Sequence, residues 1–411
     1  MNKIYRLIWS RSRNALVVVA EIVNSQVKRA SSTVTTAAAI LALTSTLSLA
    51  QAPPPNELPS SGQVVAGSAG IGQSGAVMDI HQSSQRSAID WQTFNVGSNA
   101  TVNFHQPGSS AVTLNRVLSH DPSQIFGQIN ANGQVYLTNP SGIYFAPGAS
   151  VNVGGLIATT HSISNDDFMA GRDHFSRNGA TGNVVNEGSL TAALGGYVAL
   201  LAPEVRNDGI TLAQLGTVAL AAGEAYTLQF ADDRLTGIEV EPAILNTLIE
   251  NRHAVQAPDG LIILSALAAD TLQGSVVNSG ALEATSLTEK GGVIRLEGDD
   301  ILLAEGSQLD ASGALGGGAV LVGGDWQGGA NEARRVYDDP NALYEATTVT
   351  MEAGASINAS ATESGDGGTV VLWSDVGKAG GVTRMDGEIL ATGAGGGVGG
   401  KVETSGHVLG V

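Results

Sequence analysis

Four pairs of adjacent acids, Asp166-Asp167, Asp232-Asp233, Asp299-Asp300 and Asp338-Asp339, are the residues of this chain best suited to acid–base work or cation binding. Cleavage of a polysaccharide on a solenoid needs carboxylates converging on one face, with a cation or a basic residue beside them. Neighbours on a strand point to opposite faces, so none of these pairs makes a site by itself. Arg334-Arg335 beside Asp338-Asp339 reads as a local ion-pair loop, and surface pairs of that kind contribute little. The seven histidines (His81, His105, His120, His161, His174, His253, His407) have no metal-ligand spacing and read as surface or turn residues. There is no cysteine, which excludes disulfides and thiolate metal sites. Gly395, Gly397 and Gly400 match the dinucleotide fingerprint formally, but residues 401 to 411 read as strand and offer no helix N-terminus to a pyrophosphate. No catalytic, cofactor or metal site is expected.

A different constellation is more telling. In Asn139-Pro140-Ser141-Gly142-Ile143 the Asn side chain can bond its own backbone, Pro140 presets φ and Gly142 accepts a positive φ. Thr138 to Ile143 should therefore form a tight turn between two apolar strands. Such a turn either shapes a corner of the fold or meets a partner, and the residues alone leave both open. Losing the turn bond of Asn139 should cost about 1 kcal/mol.

The elements that position this turn come from repetition. Asn186-Glu-Gly-Ser-Leu-Thr-Ala192 recurs as Asn207 to Ala213 and as Asn278 to Ala284, the first two 21 residues apart. Each copy precedes a Gly-flanked apolar run: Gly196 to Leu200, Gly216 to Leu220, Gly292 to Leu296. Looser copies continue at Gly318 to Val322, Gly368 to Leu372 and Gly400 to Val402. A period near 20 with short strands and no room for crossover helices specifies an all-β, right-handed parallel β-helix. Upstream, residues 76–80, 88–94, 100–104 and 111–117 read as strands, giving an N-terminal capping β region. Asparagines at equivalent corners can form a ladder along the axis. About 21 residues per coil would give roughly 16 coils at about 4.8 Å, a rod of about 75 Å. Three short helical decorations are expected: Asn165 to Ala170 after Ser164, Pro242 to Glu250, and Pro340 to Glu345.

Composition narrows the function. Of 411 residues, 20 are Lys or Arg and 38 Asp or Glu, with 4% aromatic, so the chain is a poor nucleic-acid binder. Six of the basic residues lie in residues 1 to 30 against Glu21 alone, which leaves the chain after residue 50 with 14 basic and 37 acidic residues, a net of −23. Val34 to Leu49 is an apolar run behind Lys28-Arg29, too short to span a membrane, that ends in Ser48-Leu49-Ala50. It reads as a signal peptide cut between Ala50 and Gln51. Residues 51 to 62 are a Pro-rich spacer.

Residues 1 to 27, MNKIYRLIW followed by a Val-rich run and Glu21, make this leader unusually long. They resemble the extended signal peptide of large Gram-negative exoproteins. Gly127 to Gly171 resembles the haemagglutination-activity region of filamentous haemagglutinin and related exoproteins of two-partner secretion. Asn139 to Ile143 stands where that family has Asn-Pro-Asn-Gly-Ile, with Ser141 in place of the second Asn. The family's Asn-Pro-Asn-Leu has no match, and Asp121-Pro122-Ser123-Gln124-Ile125 stands in its neighbourhood. The resemblance implies a secretion domain over 63–230, continued by β-helix repeats over 231–411. It implies export through the periplasm by the general secretory machinery, signal peptidase and a cognate outer-membrane barrel with periplasmic docking domains. The product would be a secreted or surface-bound, adhesin-like, non-enzymatic protein that meets a host or bacterial surface receptor. A carbohydrate-active β-helix enzyme and the stalk of a contact-dependent toxin are the alternatives. Because the last coil carries no polar cap, the native protein is expected to continue past Val411 or to associate end to end.

Overall fold

The computed structural model describes residues 5–10, 15–20, 52–336, 343–378 and 380–410. Residues 1–50 and 51–411 are separate compact units. In the first, Tyr5–Ser10 pairs antiparallel with Ala15–Ala20. The apolar run 34–49, Ala50 and Gln51 lie outside the described residues.

In the second unit, each turn of the chain adds one strand to each of three long sheets, as expected of a parallel β-helix. One complete coil runs Glu204–Asn207, Ile210–Ala213 and Thr217–Ala222, and the next lays Thr247–Asn251, Ala254–Gln256 and Leu261–Ala266 on it in parallel register. Sheet 1 runs from Ala69–Ser74 to Glu388–Leu390 in 12 strands, and sheet 2 from Gln63–Ala66 to Lys401–Ser405 in 12. Sheet 3 runs from Ser123–Ile125 to Val408–Gly410 in 10. Twelve layers at about 4.8 Å span about 53 Å, so the expected 16 coils and 75 Å are corrected downward. The excess residues go into insertions between strands. At the N-terminal end Gln63–Ala66 and Ala69–Ser74 pair antiparallel with Arg86–Trp91 and Val77–Gln82, which caps the stack. All three sheets continue through residue 231.

The repeats stack as their spacing demands. Asn186 pairs with Asn207, Asn207 with Asn251 and Asn251 with Asn278, all fully buried. Each side-chain amide donates to the next: Asn186 Nδ2 to Asn207 Oδ1 at 2.8 Å, Asn207 to Asn251 at 2.8 Å, Asn251 to Asn278 at 2.7 Å, and Asn278 to Ser307 Oγ at 2.6 Å. The flanking glycines also stack. A Cβ on Gly216 would stand 1.9 Å from the carbonyl of Gly196, and Gly260, Gly292, Gly318, Gly368 and Gly400 repeat that approach to the coil before. No side chain fits this corner.

Two large apolar cores and a small one, Leu321, Leu343, Val371 and Trp373, result. The inner one fills the coils from Leu58 to Leu372 with Val, Leu and Ile. The second lies on the outer face of sheet 2, where Leu114, Tyr136, Ile157, Tyr197, Leu201 and Ile263 are buried beneath added elements. Those elements are a short helix, Asn165–Met169, and an antiparallel sheet of His174–Ser176, Ala225–Ala231 and Arg234–Glu241. The helix begins where expected, with Ser164 Oγ accepting from Asp167 N at 3.0 Å. Arg86 fixes it to the coils, donating to Phe168 O at 2.8 Å and pairing with Asp173 at 3.3 Å. The helix expected over Pro242 to Glu250 is a correction: Thr247–Asn251 is a strand of sheet 3. Its alternating burial, with Thr247, Ile249 and Asn251 inward, and its parallel partners on both sides outweigh the Pro start signal. Of Pro340 to Glu345, only Leu343 to Glu345 are described, and they have no regular structure.

Candidate functional site

The Asn139 to Ile143 turn joins the sheet 2 strand Gln134–Thr138 to the sheet 3 strand Ile143–Phe145. Gly142 N donates to Asn139 O at 3.0 Å and Ser141 N to Asn139 Oδ1 at 3.0 Å, the two bonds that close it. Gly142 takes φ +118°, as the reading of the motif requires. What the sequence did not disclose is where the amide nitrogen goes. Asn139 Nδ2 donates to Asp121 O and to Ser123 Oγ, both at 3.0 Å, so the side chain is spent on the coil before and is wholly buried. The next coil closes over the turn from the other side, with Ile143 N donating to Asn183 O at 2.9 Å and Gly182 N to Pro140 O at 3.3 Å. A Cβ on Gly142 would stand 3.0 Å from Asn183 O. Only Pro140 and Ser141 reach solvent, beside exposed Leu118, His120 and Asp121.

Asn139 therefore makes three side-chain bonds rather than the single turn bond expected, and its partner is the segment Asp121-Pro122-Ser123. That contact spans 16 residues, a separation that no local spacing rule reads. The only sequence signal for it was a second Pro-containing turn in the coil before.

The remaining candidates are scattered. Asp166 and Asp167 lie in the first turn of the helix, where Asp167 pairs with Arg172 at 2.8 Å. Asp232 and Asp233 form the tip of the added hairpin. Asp299 accepts from Gly274 N at 2.8 Å and from the Tyr344 hydroxyl, and burial raises the pKa of its neighbour Asp300. Asp338-Asp339 lies outside the described residues. Arg335 donates to Gly329 O at 3.0 Å, and Arg334 to Gln327 Oε1 at 3.5 Å. Among the described residues no three His, Asp or Glu are arranged to hold a metal ion. Gly400 is followed by the strand Lys401–Ser405.

One histidine departs from the surface reading. His161 is fully buried between the coils and the added hairpin. Its ring lies 4.5 Å from that of Tyr226, with Nε2 3.1 Å from Gly223 O and Nδ1 3.3 Å from Thr160 Oγ1. Burial lowers its pKa to about 4.

Comparison with known proteins agrees with this architecture. The two-partner secretion (TPS) domain family matches residues 50–317, and the extended signal peptide of type V secretion systems matches residues 1–50. The solved secretion domain of HMW1 from Haemophilus influenzae is 30% identical, with a TM-score of 0.69, over 86% of this chain and 96% of that domain. A heme/hemopexin-binding protein of Haemophilus influenzae is 32% identical over 261 residues, which is 62% of this chain and 28% of that protein. A second protein of that name from the same species is 31% identical over 254 residues, 27% of its length. The chain thus spans under a third of the curated relatives it matches. A parallel β-helix behind an extended signal peptide defines an exported passenger, and the chain belongs to the two-partner secretion exoproteins. It crosses the periplasm of a Gram-negative envelope to the cell surface or the medium, with an outer-membrane transporter as partner.

Proposed function

We propose that the chain is the export-competent N-terminal part of a non-catalytic binding exoprotein, in which the Asn139 to Ile143 turn serves secretion by locking the first coils together as they fold. The observation that carries this reading is the burial of Asn139 with both amide hydrogens committed to Asp121 and Ser123. A folded turn that shows a partner only Pro140 and Ser141 is better suited to holding coils than to being gripped. Processing between Ala50 and Gln51 releases the passenger. The three acid pairs among the described residues lie on different elements, which favours binding over hydrolysis. The names of the curated relatives make heme and hemopexin the first ligands to try on the full-length protein.

Secretion by the cognate barrel, measured beside the melting temperature of the exported domain, tests the role of the turn. Asn139→Ala should lower both together, by about 1–3 kcal/mol of stability, while Ser141→Glu should leave both unchanged. Blocked export of Ser141→Glu at an unaltered melting temperature would show the turn to be a docking element instead.

A further inference from the structure

The N-terminal end of the stack holds a cleft of about 420 Å³. Leu58 to Gly62 form one wall and Ile71, Gly72 and Gln73 the other, over a floor that includes Trp91 and Met78. Both floor residues belong to the inner core.

The wall at Ile71 to Gln73 is an open sheet edge. Ala69–Ser74 is the terminal strand of sheet 1 among the described residues and pairs only with Val77–Gln82, across a two-residue turn at Gly75-Ala76. That turn makes Ser74 and Val77 a hydrogen-bonded pair, and alternation then assigns Gly72 with Asp79 and Gly70 with His81. The backbone N–H and C=O groups of Ala69, Ile71 and Gln73 accordingly face away from the hairpin. Natural edges are usually closed by Lys, Pro, a bulge or an inward charge. Ala69–Ser74 has none of these, and its register is continuous. Residues 58 to 76 contain no charged residue, although the chain after residue 50 carries −23. A strand entering here meets a neutral rim and an apolar floor, where an unpaired charge would be desolvated without compensation. At Gly70 an added Cβ would meet no atom within 4 Å, so a neighbouring backbone can approach closely.

We propose that this edge and cleft form a strand-addition site for an extended, uncharged segment of another protein, its backbone pairing with Ala69, Ile71 and Gln73 and one apolar side chain entering the cleft beside the half-buried Ile71. The inference does not depend on the role given to the Asn139 turn.

Hydrogen–deuterium exchange on the exported protein, titrated with the blocked peptide acetyl-Thr-Val-Thr-Leu-Thr-Val-amide, provides the test. The amides of Ala69, Ile71 and Gln73 should pass from fast to slow exchange on adding peptide. Gln73→Pro deletes an outward N–H that makes no hairpin bond, so it should keep the melting temperature and lose the protection. Should that variant not fold, Gln73→Lys places a charge on the exposed rim and should weaken peptide binding. Absence of protection at saturating peptide, or equal protection in the natural protein and both variants, overturns the proposal. Protection that grows with protein concentration in the absence of peptide overturns it too, by assigning the edge to a second copy of this chain.

Discussion

Asn139 and His161 show how single side chains tie this solenoid together, one along its axis and one across its wall. At Gly142, a Val meets two obstacles: a φ of +118° that β-branched residues do not adopt, and the Asn183 carbonyl 3.0 Å from its Cβ. Gly142→Val should therefore destabilise the exported domain more than Asn139→Ala does, as urea unfolding of the two variants would show. His161 makes stability depend on pH. Its folded pKa of about 4 lies below the value near 6.5 of an exposed imidazole, so its contribution is full above pH 6.5 and is lost as pH falls from there to about 4. That loss amounts to at most about 3 kcal/mol. Arg177, which pairs with Glu224 at 2.9 Å beside the ring, adds repulsion in the same direction. Asp208, Asp300 and Glu345, whose pKa values burial raises, act in the opposite sense at the acid end. The informative measurement is thus the difference between natural protein and His161→Gln across pH 4 to 7. A difference that stays constant over that range would show that His161 is not the group responsible.

At the scale of elements, the outer core does as much as the coils themselves. Phe168 is wholly buried on a helix of five residues, with the Arg86 guanidinium 5.0 Å from its ring. So short a helix has no stability of its own and persists because that ring is packed. Phe168→Ala should cost about 3–5 kcal/mol. It should also expose the amides of His174–Ser176 to exchange before those of the inner coils, and simultaneous exchange of both would refute this. The coils were legible in the sequence because their glycines and asparagines recur at 21 residues, and the turn because Pro140 and Gly142 dictate its dihedrals. Asn251 escaped notice because the hairpin 225–241 lies between it and Asn207, breaking the period although the stacking continues. The same insertions inflated the coil count. The outer core was illegible for a related reason: sheet 2 strands such as Tyr197–Leu201 are buried on both faces and read as uniform apolar runs, which do not say what covers them.

At the scale of the molecule, a nearest-neighbour solenoid is as firm at each point as its local contacts. The strands Lys401–Ser405 and Val408–Gly410 have half-exposed or exposed side chains, whereas Thr217–Ala222 is buried throughout. In a fragment cut at Val411, exchange should accordingly begin at residues 401–410 and reach 217–222 last, and the reverse order would count against this account. Edman sequencing of exported material should read Gln51 first, and a Met1 start would exclude processing. The asparagine ladder adds a direction. Each amide donates to the coil that follows it, from Asn186 through Asn207, Asn251 and Asn278 to Ser307. Between Asn186 and Ser307, a chain wound from its N-terminal end finishes each coil with a side-chain donor that the next coil covers, and a donor covered without a partner costs about 1–3 kcal/mol. The arriving coil avoids that cost by placing an Asn or Ser oxygen in register with the donor. Winding from the C-terminal end would leave an acceptor waiting instead, and a carbonyl oxygen with a vacant lone pair is the milder defect. The ladder is therefore a polarised template: it favours vectorial growth, each layer specifying where the next must begin.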